Sequence, residues 1–251
     1  MIDAIRSEWA KTWSTRSTWF TVALIVALGG LFALLFGFAA AAEHARDPAA
    51  FGPEPDFRPL IFVQVAVGYL GLRMFTIEHL TQTMALTLTT VPRRGRVLAA
   101  KAVVCFGVTL AVGTVTGLVV VFVNRAVLTS QNMPVTALTD PGMLRVLAGP
   151  GLLLALLGLI GLAVGALVRS TAGALIITIV IGVFVPAMAS LYPEWLARLI
   201  LSYLPITAGL RLLSLDGDPD LPGPWAGIAV TCAWAAVLLV TAYAVFRRRD
   251  A

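Results

Sequence analysis

The chain has 251 residues, of which 59% are hydrophobic and only 12% charged, and its formal net charge is +5. A water-soluble domain carries about a quarter charged residues, so this balance, with a mean hydropathy of +0.92, excludes a soluble globular protein and describes an integral membrane protein. The basic excess, with a pI near 9.8, reads as arginines held at one face of a membrane rather than as a nucleic-acid footprint.

In the opening stretch MIDAIRSEWAKTWSTRSTWF, Ile2, Ile5, Trp9 and Trp13 recur at helical spacing, with Asp3, Arg6 and Lys11 largely on other faces. That pattern predicts an amphipathic helix lying in the headgroup plane. Six apolar runs follow: Thr18–Ala42, Pro59–Ile77, Leu98–Val123, Leu144–Val168, Ala172–Leu191 and Pro224–Phe246. About 20 residues at about 1.5 Å each cross the hydrocarbon core. The first run exceeds the apolar core of a signal peptide, about 7–15 residues, and reads as a retained span. Only Arg169, Ser170 and Thr171 separate the fourth run from the fifth, which predicts a tight helical hairpin.

Between the last two runs, Trp195, Leu196, Leu199, Ile200 and Tyr203 outline one short helix and Ala208 to Leu215 a second, with Pro205 between them. Each is too short to span. They are expected to dip into the outer leaflet or to cover the outer mouth of the bundle. No connecting segment is long enough for a soluble domain. The fold class is therefore all-α, a polytopic membrane protein of six spans in which residues 1–251 form one membrane domain.

With six spans both termini share a side. Arg6, Lys11, Arg16, Arg93, Arg94, Arg96, Lys101, Arg169, Arg247, Arg248 and Arg249 fall on it, and most acidic residues fall on the other. The positive-inside bias then predicts cytoplasmic termini. Trp19, Trp195 and Trp225 lie near span ends, as an aromatic belt does.

Chemistry at depth is sparse. Cys105 and Cys232 lie in apolar runs and read as small buried hydrophobes. His44 and His79 fall on opposite sides. The sequence holds no HExxH, GxSxG or GxxxxGK[ST] motif, so no catalytic, cofactor-binding or metal-ligating residue is assigned. Without a carboxylate in the span cores, a proton-coupled pump is disfavoured. Arg73, near the inner end of the second span, can snorkel to the interface, line an inner vestibule or partner Glu78. Gln64, Thr109, Thr116 and Thr178 are among the few polar span residues, and Gly158, Gly161 and Gly165 predict close helix packing within the subunit.

The segment IEHLTQTMALTLTTVPRRGRVLAAK, between the second and third spans, is the most distinctive. Ile77, Leu80, Met84, Leu88 and Val91 fall on one helix face, threonines supply polar surface, and Pro92 stops the helix ahead of Arg93, Arg94 and Arg96. Such a stripe can lie on the membrane or fit a groove in a partner.

This segment, and AIRSEWAKTWSTRSTWF at the start, resemble bacterial ABC-2 type transporter permeases, in which a span ends in a glutamate and a short helix and VPRRGRVLAAK-like residues follow. The family often carries an aromatic residue and a glycine where this chain has His79 and Gln82. The resemblance implies a permease subunit in the bacterial cytoplasmic membrane with no ATP-binding motif or cofactor of its own. ATP and Mg would be bound by a separate ABC ATPase subunit, and a second permease chain, identical or not, would complete the pore. It makes the inner helix a coupling helix, with Glu78, Leu80, Thr83, Met84 and Leu88 as ATPase contacts. Arg93, Arg94 and Arg96 would anchor the loop at the inner leaflet, or serve orientation alone. Export of an apolar or amphipathic substrate (a drug, an antimicrobial peptide or a lipid-linked molecule) is the expected activity. The alternative is a stand-alone carrier or scaffold without an ATPase.

Overall fold

A bilayer core offers backbone groups no water, so spanning segments must satisfy their own hydrogen bonds as helices or closed barrels. The computed structural model describes residues 2–46, 55–80, 94–137, 139, 140, 142–215 and 223–248. Every regular element among these residues is helical. In chain order they are α1 (Ile2–Ser14), α2 (Arg16–His44), α3 (Pro59–Leu80), α4 (Arg94–Ser130), α5 (Met143–Val168), α6 (Thr171–Ala187), α7 (Glu194–Tyr203), α8 (Pro205–Leu210) and α9 (Pro224–Arg248).

Among the described residues, α2, α3, α4, α5 and α9 are each long and apolar enough to cross a membrane. The sixth crossing is made of shorter pieces, and the contacts identify it. Thr171, at the start of α6, donates a 2.8 Å hydrogen bond to Thr76 near the end of α3. Gly182, further along α6, accepts one from Gln64 near the start of α3. The helix thus runs antiparallel to α3 over about 12 residues, or about 18 Å. Beyond it, α7 and α8 stay at the far end: Thr231 of α9 donates to the Pro205 carbonyl at 2.8 Å and Arg145 of α5 to the Ser214 carbonyl at 2.8 Å. The fifth span is therefore α6, and α7–α8, bent by 66° at Leu204, is the wedge the sequence predicts.

The hairpin between α5 and α6 also forms as expected. Arg169 adopts φ 57°, and its N–H reaches Gly165 O at 2.9 Å to close α5. Ser170 caps α6 by accepting from the Gly173 N–H. One boundary differs. Helix α4 has 37 residues, about 55 Å, and exceeds the predicted Leu98–Val123 at both ends. Its polar ends keep helical hydrogen bonds where the sequence loses hydropathy.

At the centre of the bundle, α5 packs against α3, α4 and α9. Two thirds of its most apolar window is buried, 67%, against 22% for α2 and for α9, which form the periphery. Lipid-immersed helices gain little from hydrophobicity alone and associate through close packing. Here the glycines supply it. A Cβ on Gly161 would overlap the Gly68 backbone, one on Gly71 the Gly158 carbonyl, and one on Gly165 would stand 2.7 Å from Leu72 O. The small-residue run of α5 is thus an intramolecular seam with α3. Cys105 is buried, but Cys232 is exposed on α9, against expectation, because that helix lies at the periphery of the described residues and turns one side away from them.

Candidate functional site

The end of the bundle that gathers α1, the end of α3, the start of α4 and the end of α9 is here the near end. Its helix α1 is amphipathic in an unexpected sense. Ile2 and Trp9 are exposed, and the rings of Trp9, Trp13 and Trp19 form a chain with centroids 5.6 Å and 4.6 Å apart. A neighbouring face carries a carboxylate inward: Glu8 is 7% exposed.

Glu8 meets two lysines. Lys11, one turn on, lies 2.8 Å from Oε1, and Lys101 of α4 lies 2.7 Å from Oε2. Lys101 is 2% exposed, one of the largest fully buried side chains, and also donates to the Met74 carbonyl of α3 at 3.1 Å. A charge in apolar surroundings is tolerable only when paired and hydrogen-bonded, and each charge supplies the other's partner. The result is a brace joining α1, α3 and α4. Nearby, Phe75 of α3 packs edge-on against Phe246 of α9, centroids 5.3 Å apart, and the Thr76–Thr171 bond adds α6.

The brace lies about two helical turns inward of the two helix ends that residues 81–93 connect. Of the predicted contact residues, Thr83, Met84 and Leu88 lie outside the described residues, as does Arg93. Glu78 and Leu80 belong to the last turn of α3, and Arg94 and Arg96 to the first turn of α4, where Arg96 is exposed. Arg73 donates to the Ser17 hydroxyl at the start of α2, so it reaches toward the interface rather than into a vestibule.

Three of the polar span residues bond within their own helices. Thr109, Thr116 and Thr178 donate back to the carbonyls of Cys105, Val112 and Ala174 in their own helices, at 2.6 to 2.9 Å. Gln64 is different. Its amide donates to Ile61 O at 3.0 Å and to Gly182 O at 2.6 Å, and Gly182 sits in a π-helical turn, Val180–Phe184, that interrupts α6. Such a turn disturbs the regular carbonyl pairing, and the Gln64 amide binds a carbonyl within it.

The sequence reading overlooked Glu8 and Lys101 as a pair. Lys101 was grouped with the loop arginines by its position, although it lies four residues into the predicted third span. An ionisable residue inside a span, together with a carboxylate on an interfacial helix, was the available signal. The π-turn has no sequence signature.

The chain is a bundle of apolar helices whose N-terminal helix is braced to α3 and α4, and the sequence model of the ABC-2 family transporter proteins matches it over residues 4–185. The chain belongs to the ABC-2 transporter family. It is a multi-pass permease of ABC-type transport, the membrane subunit rather than the catalytic one. The match spans α1 to the last turns of α6, and so includes both halves of the brace. A comparison with curated proteins finds no match.

Proposed function

We propose that the permease works with a separate ABC ATPase subunit, through the segment Ile77 to Val91, to export an apolar or amphipathic substrate. The observation that carries this reading is the brace. The helices on either side of residues 81–93 are tied to each other and to α1 by Lys101, Glu8 and Met74 O. A push on that segment is then passed to α3, α4 and α1 together instead of being absorbed by one helix end. In this reading Glu78, Leu80, Thr83, Met84 and Leu88 meet the ATPase, and Arg93, Arg94 and Arg96 hold the loop at the inner leaflet. Attraction to anionic lipid adds about 1 kcal/mol per basic residue. A second permease chain, identical or related, completes the transporter in the bacterial cytoplasmic membrane, with both termini cytoplasmic. ATP and Mg belong to the ATPase, where hydrolysis takes place.

The test is ATP-driven transport in inverted vesicles carrying Met84→Asp. The expected outcome is loss of transport with normal membrane insertion and thermal stability. Transport at the wild-type rate would overturn the coupling role.

A further inference from the structure

The near end also holds an apolar groove that the brace does not use. It runs between the first turns of α4 and the last turns of α9, has a volume of about 410 Å³, and is lined by Ala99, Ala102, Leu239 and Tyr243 among others. Leu98, which also lines it, packs in one buried apolar cluster with Phe75 and Phe246. The mouth of the groove faces outward, beside Val240, which is 67% exposed.

The charge at its end is of one sign among the described residues. The Arg247 guanidinium stacks over the ring of Tyr243, a lining residue, at 5.6 Å. Arg96 is exposed, one helical turn before Ala99 and on the same face. Arg248 is also exposed. From Gly95 to Ala102 the groove follows α4 for about 10 Å, the depth of part of one acyl chain below the headgroups.

We infer that this groove is a binding site for one acidic phospholipid of the leaflet on the near side, its acyl chain lying along Ala99, Ala102 and Leu239 and its phosphate meeting Arg247 and Arg96. An apolar slot open to the side suits a hydrocarbon chain, and guanidinium groups favour phosphate. The basic rim selects a lipid of net negative charge over a zwitterionic one. Small residues on α4, Ala99 and Ala102, leave the space that the chain fills, while Gly95 lets the Tyr243 ring lie against α4 at the end of the groove, where a Cβ would come within 2.7 Å of it.

The experiment is native mass spectrometry of the detergent-purified full chain after adding phosphatidylglycerol or phosphatidylcholine. Wild type is expected to retain one phosphatidylglycerol per chain, several-fold above phosphatidylcholine. Ala99→Phe fills the groove and should lower phosphatidylglycerol retention several-fold. The double variant Arg96→Gln, Arg247→Gln changes only exposed side chains and should bring the two lipids to equal retention. Equal retention of both lipids by wild type would overturn the site. So would unchanged lipid selectivity in the arginine variant, or an Ala99→Phe protein that keeps its lipid but loses association with a second copy.

Discussion

The two ends of the bundle are held by different forces. At the near end, α1, α3 and α4 are joined by a buried ionic bridge, Glu8 to Lys101, with Lys101 also on the Met74 carbonyl, and the Phe75–Phe246 aromatic contact ties α3 to α9. At the far end the α7–α8 wedge is held by neutral or singly charged donors on backbone carbonyls: Thr231 on Pro205, Trp234 on Tyr203 and Arg145 on Ser214. Asp56 and Arg58 form an ion pair there, but Arg58 is half exposed. Asp56, by hydrogen bond and charge, pushes the Arg58 guanidinium above its ordinary value. A buried pair fails abruptly when one member is lost, whereas single hydrogen bonds to carbonyls are worth about 1 kcal/mol each and can be exchanged. Loss of one charge at the near end should therefore loosen its helices as one block, whereas the bonds of the far end can be lost one at a time.

The sharpest way to break this contrast is to strand one charge. Glu8→Gln leaves Lys101 buried beside a neutral amide and should cost about 3 kcal/mol, read as thermal unfolding in detergent. Glu8→Leu with Lys101→Met removes both charges and should recover most of that loss. A single variant as stable as wild type would make the brace an incidental contact. Next in size is the α3–α5 seam. Gly71→Ala places a methyl against the Gly158 carbonyl and should cost about 1–3 kcal/mol, weakening both ends alike.

Smaller effects separate the ends further. Gln64→Leu removes the donor to the π-turn carbonyl of Gly182 and should cost about 1–2 kcal/mol, with faster amide exchange confined to α6. Exchange spreading into α4 would mean that the near end is not an independent block. Thr171→Val deletes the hydroxyl pair with Thr76; about 1 kcal/mol is expected, again from the melting curve.

Much of this was legible in the sequence, and the limits have physical causes. Lipid imposes a length and a composition on each span, so Pro59–Ile77 and the hairpin at Arg169 to Thr171 were readable from local pattern alone. The glycines of α5 announced close packing, but not that Gly68 and Gly71 of α3 would meet them, since a seam names no partner. The Glu8–Lys101 bridge joins residues 93 positions apart, and no periodicity relates them. Helix α4 outran its predicted ends because hydropathy marks where lipid stops, not where a helix does. The predicted coupling residues Thr83, Met84 and Leu88 fall outside the described residues, so for them the sequence pattern remains the argument.

The central claim, that the segment between α3 and α4 engages an ATPase, is tested most directly by purifying the tagged chain gently from its native membrane and identifying what co-elutes. The account predicts a stoichiometric subunit with a P-loop that is lost from Met84→Asp and Leu88→Asp while the permease still elutes as a folded particle. A permease that elutes without any ATPase, under conditions that keep other membrane complexes intact, would contradict it.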